Sequence, residues 1–332
     1  MLLSLLFLAG GIVLLVLGAG WLVGGSSALA RRFGVSELVV GLTVVASGTS
    51  APELVVSVVA ALSGNPEIAV ANVVGSNIFN ILVILGAAAV IAPIRAQRST
   101  AWREIPIAVG AAVLYLLFLS DSFFFGAPRE YLARWEAVIL LVCFGGFVLY
   151  SVRSSRAGPD TMVPKAPSEA IPAGRLPQGL GISIIATVVG IGALTLGARV
   201  FVDGAVTLAT TLGVPTWIVG VTVVAVGTSL PELFTSLVAA RRGQTDIALG
   251  NAVGSNIFNV FLVLGAAGVI HPVVLPPGRS LADGLVALAA MLLLLLAMFT
   301  GKRRVLDRWE GWVFLLFFAS YVGYQVLAAA PG

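Results

Sequence analysis

Two glutamates stand where glutamates are costly. Glu53 closes the hexapeptide Gly48-Thr49-Ser50-Ala51-Pro52-Glu53, Glu232 closes Gly227-Thr228-Ser229-Leu230-Pro231-Glu232, and both hexapeptides interrupt long apolar stretches. A charged acid at the centre of a bilayer costs about 2.5–3.5 kcal/mol on insertion scales, so each needs a neutralising partner. No cation lies within sequence reach: Lys165 and Lys302 fall in loops, and Arg199, in a different apolar stretch, has Asp203 four residues on as a local helical partner. A metal ion or protons must therefore neutralise Glu53 and Glu232. The prolines point the same way. Proline lacks an N–H and clashes with the carbonyl four residues back, so Pro52 frees the carbonyl near Gly48 and Pro231 the one near Gly227, which predicts a broken helix at each place. Carbonyls freed within hydrocarbon need partners, and transporters use such unwound carbonyls to coordinate sodium and related ions.

Downstream of each glutamate runs Gly75-Ser76-Asn77-Ile78-Phe79-Asn80 or Gly254-Ser255-Asn256-Ile257-Phe258-Asn259. Ser76 and Asn80 are four apart, as are Ser255 and Asn259, so each pair offers neutral oxygens on one helix face. Two carboxylates match the charge of calcium, which takes six to eight oxygens from carboxylates, carbonyls and water. The neutral oxygens suit sodium. Gly75 and Gly254 also have a plain packing role, letting helices approach closely. An intramembrane enzyme with a serine nucleophile lacks its base: His271 is the only histidine and sits in a loop beside Pro272, and both lysines lie outside the spans.

The elements that must hold these residues are transmembrane helices. Of 332 residues, 59% are hydrophobic and 10% charged, with a mean hydropathy of +1.06, whereas a soluble domain carries about 25% charged residues. Stretches of the roughly 20 residues needed to cross a bilayer fall near 3–29, 35–62, 67–92, 104–119 and 135–152, then 178–211, 214–240, 246–270, 281–299 and 310–328. Ten spans are expected, the first being a true span rather than a cleaved leader. With both termini outside, alternation puts fifteen of the nineteen Lys and Arg residues in cytoplasmic loops, three outside (Arg129, Arg134, Arg279) and Arg199 within a span, as the positive-inside rule requires. The basic pI of 9.6 is thus topological and implies no nucleic-acid partner. Cys143 is the single cysteine, so neither a disulfide nor a thiolate metal site is available.

Residues 41–86 align without a gap to residues 220–265, and 28 of the 46 positions are identical. Five spans precede the second copy, so it enters the membrane the other way up. This predicts an all-α polytopic membrane protein of two inverted five-helix repeats, residues 1–152 and 177–332, with broken helices 2 and 7 at the midplane. Equivalent residues then converge near one point. Between the repeats, 153–176 is rich in Pro, Ser and charge and reads as a cytoplasmic linker. A duplicated, inverted, acid-containing core suits alternating access better than a fixed pore.

The motif pairs GTSAPE with GSNIFN and GTSLPE with GSNIFN resemble the two alpha repeats of the sodium/calcium exchangers, of prokaryotic type, within the cation/calcium antiporter superfamily. The resemblance implies a secondary antiporter in the plasma (inner) membrane, exchanging calcium for sodium and needing no cofactor. It implies that Glu53, Glu232 and the carbonyls of Thr49 and Thr228 hold calcium. Sodium would share the glutamates and use the Ala46 and Ala225 carbonyls, the hydroxyls of Ser50, Ser229, Ser76 and Ser255, and Asn80 and Asn259. It also implies that the first and sixth spans slide across this core. Potassium-dependent relatives carry an aspartate at one of the positions of Asn80 and Asn259, so asparagine at both argues against potassium coupling. Proton-coupled relatives typically carry a glutamate where this chain has Gly75 and Gly254. Calcium/proton exchange through the same glutamates remains the alternative. The short linker implies none of the calcium-sensing domains that animal exchangers insert.

Overall fold

The computed structural model describes residues 2–119, 130–155, 179–212, 225–275, 279–300 and 304–329, which are almost entirely helical. Most of the expected linker and the start of the expected span 214–240 lie outside the described residues. Among the described residues, six helices are long and apolar enough to cross a bilayer: Leu2–Phe33, Pro66–Ile91, Thr100–Phe118, Arg134–Arg153, Leu180–Leu208 and Thr245–Ile270. A seventh is the bent pair Glu37–Thr49 and Ala51–Leu62, which meet at 45°. Of the remaining expected spans, Ala225–Thr228 and Leu230–Arg241 are the described part of one, and Arg279–Ala297 and Arg308–Ala329 fall on two others.

These helices sort into an inner and an outer set. In Pro66–Ile91 and Thr245–Ile270, 72% of the apolar window is buried inside the protein, against 28% for Leu2–Phe33 and Leu180–Leu208. The outer pair turns Leu3, Val13, Ile185 and Val188 outward, an apolar surface of the kind lipid covers. Its two members run antiparallel along a seam of glycines. A Cβ on Gly11 would fall 2.8 Å from the Phe201 Cα, on Gly18 2.8 Å from the Leu194 nitrogen, and on Gly25 2.8 Å from the Ser183 carbonyl oxygen. From the other side, Gly190, Gly197 and Gly204 press on the main-chain nitrogens of Leu22, Leu15 and Leu8 at 2.5, 2.9 and 3.0 Å. Backbone touches backbone, so no side chain fits there.

The inner helices pack by the same rule. On Thr245–Ile270, a Cβ at Gly250 would lie 2.8 Å from the Leu38 carbonyl oxygen and one at Gly254 2.7 Å from that of Leu42. The packing role expected of Gly75 and Gly254 is present only at Gly254, since a Cβ on Gly75 would meet nothing within 4 Å among the described residues, and Gly254 seats the next residue, Ser255, against the break in the Glu53 span. That break falls at Ser50 (φ −83°, ψ 7°), and its counterpart at Ser229 (φ −90°, ψ 5°) separates Ala225–Thr228 from Leu230–Arg241. Pro52 and Pro231 each stand second in the helix that follows, a first-turn place where no N–H is needed. Two antiparallel ribbons tie the halves together: Ile94–Arg95 pairs with Val305–Leu306, and Glu130–Leu132 with Val273–Leu275.

One expectation fails. Arg199 and Asp203 are both exposed, and the ion pair within 4.0 Å among the described residues is Arg31–Glu37 instead. Spacing of four is not enough: with the cation N-terminal to the acid, the order opposes the helix dipole and is the weaker orientation.

Candidate functional site

Each glutamate lies in the first turn of the helix after a break, Glu53 in Ala51–Leu62 and Glu232 in Leu230–Arg241, and each is 1% exposed. A helix N-terminus favours a carboxylate, while the last carbonyls of the preceding segment, at Thr49 and Thr228, belong to its negative end. The break thus sets acid and carbonyl oxygens side by side. Among the described residues, neither glutamate takes part in a salt bridge and no group of three or more His, Cys, Asp or Glu could hold a metal. Two carboxylates are the acidic complement of the centre among these residues.

The serines at the breaks cross between the halves. The Ser50 hydroxyl donates to Glu232 Oε1 at 2.8 Å, and the Ser229 hydroxyl donates to Glu53 Oε1 at 3.2 Å. Ser255 Oγ lies 2.9 Å from Ser50 Oγ, and Ser76 Oγ lies 3.1 Å from Ser229 Oγ. A hydroxyl has one proton to give, so with Ser50 and Ser229 committed to carboxylates, Ser255 and Ser76 are the donors in these pairs. All four serines are at most 2% exposed.

Asparagines absent from the expected ligand set brace this arrangement. Asn72 Nδ2 donates to the Glu53 carbonyl oxygen at 3.2 Å and to Ser57 Oγ at 3.0 Å, and Asn251 Nδ2 donates to the Glu232 carbonyl oxygen and to Ser236 Oγ at the same distances. Their amide oxygens reach the opposite half: Thr49 Oγ1 donates to Asn251 Oδ1 at 3.0 Å and Thr228 Oγ1 to Asn72 Oδ1 at 3.4 Å. The signal was present in the sequence, since Asn72, Ser57, Asn251 and Ser236 occupy identical positions of the repeat. Which atoms they join is a matter of three dimensions.

Asn80 and Asn259 begin wide π turns, Asn80–Leu85 and Asn259–Leu264, inside the inner helices, a local geometry that recurs at functional sites. The Ala46 carbonyl accepts from the Ser50 N–H at 2.9 Å, so ligation there would compete with this bond. Ala225 opens the short helix Ala225–Thr228, and its side chain lies outside the described set.

Among the described residues, four buried side-chain oxygens of this centre have no hydrogen-bond partner: Glu53 Oε2, Glu232 Oε2, Asn80 Oδ1 and Asn259 Oδ1. They are two pairs of repeat mates, and all are acceptors. A buried acceptor without a donor costs about 1–3 kcal/mol. Oxygens gathered in this way are what a hard cation binds.

A helical membrane protein with a buried, acid-containing centre of oxygen atoms, built by two copies of one motif, belongs to the class of cation transporters. Comparison with known proteins defines the family. The model of the sodium/calcium exchanger protein family matches residues 3–153 and 182–327, so the chain belongs to that family. It is 39% identical to CaxA of Alkalimonas amylolytica, assigned as an antiporter, over 98% of this chain and 99% of the relative. It is 34% identical to the sodium/calcium exchanger MaX1 of Methanosarcina acetivorans, over 96% and 97%. The fold matches the solved sodium-calcium exchanger NCX_Mj with a TM-score of 0.81 at 30% identity, over 97% of this chain and 98% of that one. The chain is a membrane antiporter of the cation/calcium type.

Proposed function

We propose that this protein drives calcium across the membrane against sodium, with both ions using the centre around Glu53 and Glu232. The observation that carries the reading is the set of four unpartnered buried oxygens, two of them carboxylate. Calcium takes the two glutamates and the carbonyls of Thr49 and Thr228. Sodium ions take the same glutamates with the Ala46 and Ala225 carbonyls, the hydroxyls of Ser50, Ser229, Ser76 and Ser255, and Asn80 and Asn259. Because the ions share the carboxylates, they do not occupy the centre together, and that competition is the coupling. Calcium neutralises both acids, whereas three or more sodium ions leave net positive charge, so exchange at that ratio is electrogenic.

The architecture belongs to the same proposal. Residues 1–152 and 177–332 are two inverted five-span repeats joined by a cytoplasmic linker, 153–176, in a plasma membrane with both termini outside. Supporting the inversion, the outer helices carry their glycines at Gly11, Gly18 and Gly25 and again 179 residues later at Gly190, Gly197 and Gly204, yet pack antiparallel.

The test is radiocalcium uptake into proteoliposomes. Uptake is expected to require an outward sodium gradient, and Glu53→Gln or Glu232→Gln is expected to reduce it at least about a hundredfold, since each removes a first-turn carboxylate from an oxygen-ligated ion. Uptake that ignores sodium and follows a pH gradient would replace sodium by protons as the coupling ion. Normal transport by either glutamine variant would remove the site.

A further inference from the structure

Asn77 and Asn256 sit behind the two asparagines just assigned as ligands, on the same inner helices, and are 7% and 2% exposed. Asn256 Nδ2 donates to the main-chain oxygen of Asn77 at 3.1 Å, and Asn77 Nδ2 donates to the main-chain oxygen of Asn256 at 3.4 Å. A carbonyl oxygen only accepts, so each of these carboxamides must offer it the NH2 end. The oxygen ends are then fixed as well. Asn256 Oδ1 accepts from Asn80 Nδ2 at 2.9 Å, and Asn77 Oδ1 accepts from Asn259 Nδ2 at 3.1 Å. With each NH2 group turned to its neighbour, Asn80 and Asn259 are left with Oδ1 buried and without a donor among the described residues.

We propose that Asn77 and Asn256 are positioning residues that set the polarity of the site, holding the oxygen ends rather than the NH2 ends of Asn259 and Asn80 toward the transported cation. A free carboxamide is nearly symmetric in shape and could turn either end to the centre; its NH2 would repel an ion. Two main-chain carbonyls, which have no second option, remove that choice through one intervening amide each. The inference rests on the reading of Asn80 and Asn259 as ligands and goes beyond it by saying why asparagine serves there.

The experiment is a pair of double-mutant cycles on the full-length carrier, read as calcium affinity by equilibrium radiocalcium binding and as maximal exchange rate in proteoliposomes. Asn256→Ala removes the acceptor that holds Asn80 and leaves the main-chain oxygen used by Asn77 in place. It is expected to weaken calcium binding about three- to tenfold, the range for one oriented hydrogen bond, with the maximal rate kept within about twofold. In an Asn80→Asp background the same substitution is expected to cause no loss of affinity, because a carboxylate presents oxygen at either end and offers Asn256 Oδ1 no N–H to accept. The second cycle pairs Asn77→Ala with Asn259→Asp and decides alone if one alanine variant folds poorly. Equal losses in both backgrounds would reduce these asparagines to packing and overturn the proposal, as would unchanged affinity in the wild-type background. Glu53→Gln, run alongside, separates the failures: if it retains calcium binding, the site itself is wrong, and if it loses binding while the cycles are additive, only the relay is.

Discussion

Ser50 and Ser229 do for the carboxylates what Asn77 and Asn256 do for the amides: each pins one oxygen of a glutamate from the other half at Oε1 and leaves Oε2 without a partner. A carboxylate held at one oxygen points the other in a fixed direction, so part of the orienting cost is met before an ion arrives. Ser50→Ala and Ser229→Ala are therefore expected to weaken calcium affinity by similar factors, about three- to tenfold. Equilibrium binding on the two variants checks this, and a large difference between them would mean that the two glutamates are not equivalent. Ser50 and Ser229 came only with the family resemblance, but the glutamates, Ser76 and Ser255 could be read from the residues themselves, because an acid is wrong for lipid and the Ser-to-Asn spacing of four repeats. The asparagines behind them could not be, although Asn77 and Asn256 repeat just as faithfully. Their partners are main-chain oxygens on another helix, 179 residues away, and a sequence does not display carbonyls. Arg199 and Asp203 illustrate the opposite error, a spacing that allowed a contact the order of charges does not favour.

At the scale of elements, two kinds of glycine share the outer helices. Gly190 meets the Leu22 nitrogen at 2.5 Å from where a Cβ would sit, while Gly192, two residues on, has nothing within 4 Å among the described residues. One substitution should then have two signs. Gly192→Ala is expected to raise stability by about 0.5–1 kcal/mol through the helical cost of glycine, and Gly190→Ala to lower it by about 1–3 kcal/mol through overpacking. Thermal unfolding of both variants in detergent measures the contrast; a shift of the same sign in both would remove the seam as a packing constraint. The broken helices were legible in advance because proline states its own prohibition. The seam was not, since glycine is common in any membrane helix, and only the antiparallel register shows which faces meet.

For the molecule as a whole, inversion makes a claim about sides. Ser63, after the Glu53 helix, and Arg241, at the end of the Glu232 helix, are both exposed and stand at corresponding ends of the repeat. In a background with Cys143→Ala, Ser63→Cys is expected to react with a membrane-impermeant maleimide from outside, and Arg241→Cys only after permeabilisation. Labelling of both from one side would contradict the inverted arrangement. Among the described residues, length and hydropathy identify six spans, or seven with the bent pair, of the ten expected from sequence. The start of the expected span 214–240 lies outside those residues, and the break at Ser50 splits another span into two short helices.

The crossed serines also bear on ancestry. Glu53 is held by Ser229 and Glu232 by Ser50, so a chain of half this length would carry a glutamate whose serine belongs to someone else. Such a protein could assemble the centre only as a pair of identical copies lying head to tail. Gene fusion would then have preserved a working dimer rather than invented a site, and the freedom of the two halves to diverge, as they have at 18 of the 46 aligned positions, began once each was guaranteed its partner.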